Sequence, residues 1–80
     1  MATETEITAA LAAIFAEVFG RDIPLRPGLA AKDVAGWDSF KQIEIIMATE
    51  ERYGIRFSTR DLDRLQTVGD LIAVVAAKTA

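Results

Sequence analysis

Few residues in this chain could do chemistry, and the most informative are Asp38 and Ser39 in the run Gly36-Trp37-Asp38-Ser39-Phe40. A serine serves either as a nucleophile or as a point of attachment. As a nucleophile it needs a base within hydrogen-bond reach. The sequence holds no histidine and no cysteine, so only carboxylates and lysines remain, and Asp38 is not free for that work while it caps a helix. The acidic pairs Glu50-Glu51 and Asp61/Asp63 diverge on a helix and read as solvated faces. A di-metal carboxylate site would want inward-facing Glu-x-x-His motifs, and no glycine-rich phosphate loop is present. Neither a catalytic residue nor a metal site is expected. As a point of attachment Ser39 fares better. Gly36 breaks the preceding segment, Asp38 is a favoured N-cap, and Ser39 then occupies the first helical position. A phosphate esterified there would meet unpaired amides and the positive end of the helix dipole. The plainer alternative is that Asp38 and Ser39 merely start a helix.

Composition narrows the function classes. The chain of 80 residues suits one domain, 1–80, with one modest core, and its 51 % hydrophobic content calls for a folded globule rather than disorder. A formal charge of -3 without a basic run makes nucleic acid and anionic membrane poor partners; proteins with a basic docking surface fit better. The first six residues are polar and acidic where a secretory leader would be basic, and no apolar run reaches membrane-spanning length. A cytoplasmic monomer without membrane insertion is the expectation.

The periodicities that must position Ser39 are helical. Residues 1–20 read as a first helix, with Thr3 and Glu6 as a capping box, Ile7, Leu11, Ile14, Phe15 and Val18 on one face, and Gly20 as terminator. Residues 21–37 form a long connection broken by Pro24, Pro27, Gly28 and Gly36, anchored by Ile23, Leu25, Leu29 and Val34, with a helical turn around 29–33. A second helix spans 38–53 and closes at Gly54 in a Schellman-type end with Ile55 beyond it. Within 56–66, Ser58 caps one or two helical turns through Leu62 and Leu65, with Asp61 completing the box; Thr67 and Asp70 open the last helix. That helix buries Val68, Leu71, Ile72 and Val75, uses Ala73, Ala76 and Ala77 for close packing, and sets Lys78 against its own C-terminal dipole. Ile55-Arg56-Phe57 is too short to count as a strand. The fold class is all-α: a four-helix bundle of three main helices and one short helix, with a long first loop.

The second helix carries two apolar stripes. Ile45, Ile46 and Tyr53, with Thr49 between them, share one side, while Phe40, Ile43 and Met47 share roughly the opposite one. A surface helix normally needs one stripe. Either the short helix and the loop cover the second, or it docks partners, since apolar clusters rimmed by charge mark interaction sites. Glu44 and Glu51, on the same side, and Glu50, flanking Ile43, would supply the rim.

At this point the chain resembles a known family, the acyl carrier proteins, over most of its length. Asp38-Ser39-Phe40 is similar to the family's Asp-Ser-Leu. Ile43-Glu44-Ile45-Ile46-Met47 resembles its apolar-acidic run, Glu50-Glu51-Arg52-Tyr53-Gly54-Ile55 its acidic helix end, and Thr67-Val68-Gly69-Asp70-Leu71 the opening of its last helix. Four weak matches in the right order and spacing make a strong one. The resemblance implies that Ser39 bears 4′-phosphopantetheine as a phosphodiester, installed by a phosphopantetheinyl transferase, with Asp38 as cap and motif residue. It implies acyl intermediates held as thioesters on the arm's thiol. It also implies docking through Phe40, Ile43, Glu44, Met47, Glu50 and Glu51 to loading ligases and synthases, in a specialised fatty acid or polyketide-type pathway, without catalysis by the chain itself. Lys41 and Arg52 depart from the acidic run, and Thr49 stands where the family often has a large apolar residue lining an acyl pocket. Those departures imply a less acidic face, a more polar pocket and a specialised cargo. An aminoacyl or peptidyl carrier loaded by an adenylating ligase is the alternative, and from another class an unmodified interaction module.

Overall fold

The computed structural model describes residues 3–80, and its elements follow the order expected. Helix α1 runs Glu4–Phe19, a 3-10 turn occupies Ala31–Asp33, and helices α2, α3 and α4 cover Ser39–Tyr53, Thr59–Asp63 and Val68–Lys78. The part of the first-helix expectation that falls on residues 1 and 2 lies outside the described residues.

Each helix begins where a side chain can accept a free backbone amide. Thr3 and Glu6, Ser58 and Asp61, and Thr67 and Asp70 form reciprocal capping boxes on α1, α3 and α4. These bonds favour the ionised carboxylates. The Thr3 backbone amide lowers Glu6, and the amides of Gln66 and Thr67 lower Asp70. At the other end of α2, Gly54 takes up a left-handed conformation with φ 64°, and the amides of Gly54 and Ile55 both donate to the Glu50 carbonyl.

Burial follows the apolar faces read from sequence. Ile7, Leu11, Ile14 and Phe15 of α1 meet Ile45 and Ile46 of α2 and Val68, Leu71, Ile72 and Val75 of α4, with α1 packed on both. Ile23, Leu29 and Val34 of the long loop complete the same core. One expectation fails: Ala73 and Ala77 are exposed, so only Ala76 of the three alanines packs inward. The last helix uses a narrow apolar stripe and leaves small residues outside. Lys78 also does something other than answer its own dipole. Its ammonium lies 2.8 Å from Asp61 and ties the end of α4 to α3. That ammonium, with the Ser58 amide, holds the Asp61 carboxyl at about 2, down from 3.8.

The loop is fastened to the start of α4. The amides of Val68 and Gly69, which have no acceptor inside their helix, donate to the carbonyls of Leu29 at 2.8 Å and Pro27 at 2.9 Å. Ala30 and Thr67 form an isolated antiparallel bridge. A Cβ on residue 69 would stand 2.9 Å from the Pro27 oxygen, so this approach requires glycine.

Candidate functional site

Asp38 is the N-cap of α2. Its backbone is extended, its carboxylate accepts the Lys41 amide at 3.0 Å, and its carbonyl accepts the Gln42 amide at 3.0 Å. Ser39 is the first residue of the helix and is exposed. Among the described residues its hydroxyl makes no hydrogen bond, and the amides of Ser39 and Phe40 meet no acceptor. In α1, α3 and α4 an acid three residues past the cap answers the positive end; α2 has Lys41 there and no acidic residue in its first turn. The dipole of α2 is met by Asp38 alone, and free amides lie beside a bare hydroxyl. That arrangement fits a covalently attached phosphodiester.

The junction is held from both sides by the end of α1. Gly36, with φ 87°, turns the chain, and the Trp37 amide donates to the carbonyl of buried Val34 at 3.2 Å. The Trp37 ring meets Phe15 edge-on at 5.2 Å and Phe19 at 6.2 Å. Its indole N–H donates to Gln42 Oε1 at 2.8 Å, closing a bridge across the serine. Two residues after Ser39, the Lys41 ammonium donates to the Val18 carbonyl at 3.1 Å and lies 3.8 Å from Glu44. Val18 belongs to the last turn of α1, which has no basic residue of its own. Lys41 therefore serves the end of a neighbouring helix.

The second apolar stripe of α2 is open to solvent. Phe40, Ile43 and Met47 are 77 %, 56 % and 62 % exposed, and Leu62 of α3 extends the patch at 44 %. Neither the loop nor α3 covers it. The sequence places Leu62 only in a helix, and its position directly after Asp61, the partner of the Ser58 cap, gives no sign of exposure. Glu44 and Glu51 are exposed along α2. Glu50 differs: it is half-buried, and its carboxylate accepts the Phe57 amide at 2.8 Å, so its first task is to hold the α2–α3 connection. Thr49 is fully buried, yet its hydroxyl donates to the Ile45 carbonyl at 2.7 Å. The hydroxyl is thereby satisfied within its own helix and offers no free donor to its buried surroundings. Beside Ser39 a groove of about 540 Å³ opens between α2, α3 and the start of α4, lined by Ile43, Leu62, Leu65 and Val68 together with Trp37, Gln42, Gln66 and Thr67.

A sequence model of the family described as a phosphopantetheine attachment site matches residues 9–75. A meromycolate extension acyl carrier protein of Mycolicibacterium smegmatis is 39 % identical over 75 residues, covering 92 % of this chain and 76 % of the relative. The chain belongs to the acyl carrier proteins. An acyl carrier protein of Acidothermus cellulolyticus is 34 % identical over 80 residues, 96 % of this chain and 93 % of the relative. Among solved structures, the solution structure of a holo acyl carrier protein from Geobacter metallireducens superposes with a TM-score of 0.83 at 37 % identity, covering 90 % of this chain and 83 % of that one. The helical layout of this carrier protein is thus the family's, and its prosthetic group is a covalent phosphopantetheine. Among the described residues no helix is long and apolar enough to cross a membrane.

Proposed function

We propose that Ser39 is the attachment point of the arm, and that this carrier protein presents acyl groups to partner enzymes without performing chemistry itself. The observation that carries the reading is the exposed, unbonded Ser39 hydroxyl beside the free amides of its own helix start. Once attached, the group supplies a terminal thiol that holds an acyl chain as a thioester. The chain's own residues do the rest. Asp38 fixes the helix start, Trp37 and Lys41 tie it to α1, and the amides of Ser39 and Phe40 favour the negative charge of the phosphodiester.

Docking is assigned to Phe40, Ile43 and Met47 with Leu62 added, rimmed by Glu44 and Glu51. Glu50 contributes as a charge set back from the surface. The partners are a phosphopantetheinyl transferase and acyl-loading or synthase enzymes whose surfaces pair apolar and basic groups. Such contacts are brief and salt-sensitive, because exposed charges are screened at ordinary ionic strength. The relative named for meromycolate extension favours a specialised fatty-acyl cargo over an aminoacyl one. Incubation with a phosphopantetheinyl transferase and coenzyme A, followed by intact mass measurement, tests the attachment. One arm is gained by the native chain and none by Ser39→Ala; modification of the variant would overturn the assignment.

A further inference from the structure

The groove beside Ser39 is lined by Ile43, Leu62 and Leu65 and also by polar residues, among them Gln42. One helical turn after Ser39, Gln42 shares that residue's side of α2. The orientation of its carboxamide follows from chemistry. An indole N–H only donates, so the Gln42 atom facing Trp37 Nε1 at 2.8 Å must be the oxygen. The NH2 end is thereby directed elsewhere, and among the described residues it meets no acceptor. Trp37 is itself braced by Phe15 and Phe19, so the carboxamide is held by a rigid partner. Gln42 also lines a second, smaller groove that continues along the α2–α3 seam past Met47 to Phe57, and it therefore stands where the two meet. A donor fixed by Trp37 between the apolar side chains of Ile43, Leu62 and Leu65 is suited to one carbonyl oxygen on a largely hydrocarbon ligand.

We propose that Gln42 Nε2 is the hydrogen-bond donor for a carbonyl oxygen lying in the groove beside Ser39, supplied by the arm or by its acyl cargo. The proposal rests on Ser39 as the attachment point. Where the oxygen is a ketone of the cargo, Gln42 is also specificity-determining, because a cargo oxygenated near the thioester gains a bond that a saturated chain lacks.

The test is direct because Gln42 and Gln66 supply the side-chain amides of a chain that has no asparagine. The full chain, labelled with ¹⁵N, is compared bare, bearing the arm, and loaded with hexanoyl or 3-oxohexanoyl groups, with intact mass confirming each state. The Gln42 NH2 signals shift downfield by more than those of Gln66, which lines the same groove, while amides remote from it such as that of Thr8 stay in place. A shift on arm attachment alone identifies an amide carbonyl of the arm. A shift with both acyl chains identifies the thioester carbonyl, and one confined to the 3-oxo chain identifies the cargo ketone. Gln42 signals unmoved in every loaded state, or moving no more than those of Gln66, overturn the proposal. Gln42→Glu retains the acceptor for Trp37 and removes the NH2 donor; hydroxylamine then cleaves its 3-oxoacyl thioester about two- to fivefold faster if the cargo supplies the oxygen. Should that variant fold poorly, the native-chain spectra still decide. A chain that gains no arm at all refutes the attachment reading, which intact mass distinguishes from a loaded chain with a silent Gln42.

Discussion

The Lys41 ammonium and the Val18 carbonyl, 23 residues apart in sequence, meet at 3.1 Å and join the helix that bears Ser39 to the end of α1. Val18 is among the final residues of α1, whose carbonyls have no partner within the helix, and a cation there is stabilising. Replacing Lys41 by Met, which keeps the stem but loses the charge, lowers stability by about 0.3 to 1 kcal/mol. Lys41→Arg retains most of it. Urea titrations at low and high salt check both points, since the loss shrinks as salt rises.

Gly69 is fixed by its distance from Pro27. Gly69→Ala sets a methyl 2.9 Å from a backbone oxygen that cannot yield without moving the loop. A loss of about 1 to 3 kcal/mol follows, the range of an overpacked site. The urea midpoint reports it, and faster amide exchange at Val68 and Gly69 shows that the loop has come away from α4.

Acid should act through Asp61. Its carboxyl titrates at about 2 in the folded chain against an ordinary 3.8. The unfolded chain binds more protons between those values, so the stabilisation present above pH ~4 is lost as pH falls towards ~2. Asp61→Asn removes that contribution. Its stability therefore falls less steeply through the same window, and the two chains converge near pH ~2, where the native carboxyl is itself half protonated. Urea midpoints across the acid range check this, with Glu6 and Asp70, both lowered, accounting for a remaining slope.

Phe40 and Phe15 separate docking from packing. Phe40→Ala slows transfer of the arm and acyl loading while the melting temperature stays nearly constant, because the ring is 77 % exposed. Phe15→Ala, at a fully buried position, costs about 3 to 5 kcal/mol. Reversing charge at Glu44 and Glu51 raises the KM of partner reactions at low salt, and the difference fades as salt is added. Unchanged KM across several partners would remove these residues from the docking face.

Local signals explain why so much of this architecture was legible beforehand. The Thr3/Glu6, Ser58/Asp61 and Thr67/Asp70 boxes act over three residues, so their sequence spacing is the interaction itself. Asp38 and Ser39 were placed correctly at the start of α2 for the same reason. What spacing could not carry was pairing between distant segments. The carbonyls of Pro27 and Leu29 find the amides of α4 only once the loop has folded over. Lys41 read as a departure in charge because nothing in its neighbourhood names Val18 as its acceptor. Glu50 read as surface for the reciprocal reason: its engagement with the Phe57 amide depends on how the α2–α3 connection returns. Exposure of the Phe40 stripe needed the actual course of α3, which leaves Phe40, Ile43 and Met47 in solvent.

The chain has a single tryptophan, and folding leaves it half-buried two residues before the serine, with its indole N–H on Gln42. Its emission colour depends on the polarity around the ring and on that one bond. The protein thus carries its own optical reporter beside Ser39, able to register occupancy of the neighbouring groove in real time without any attached dye.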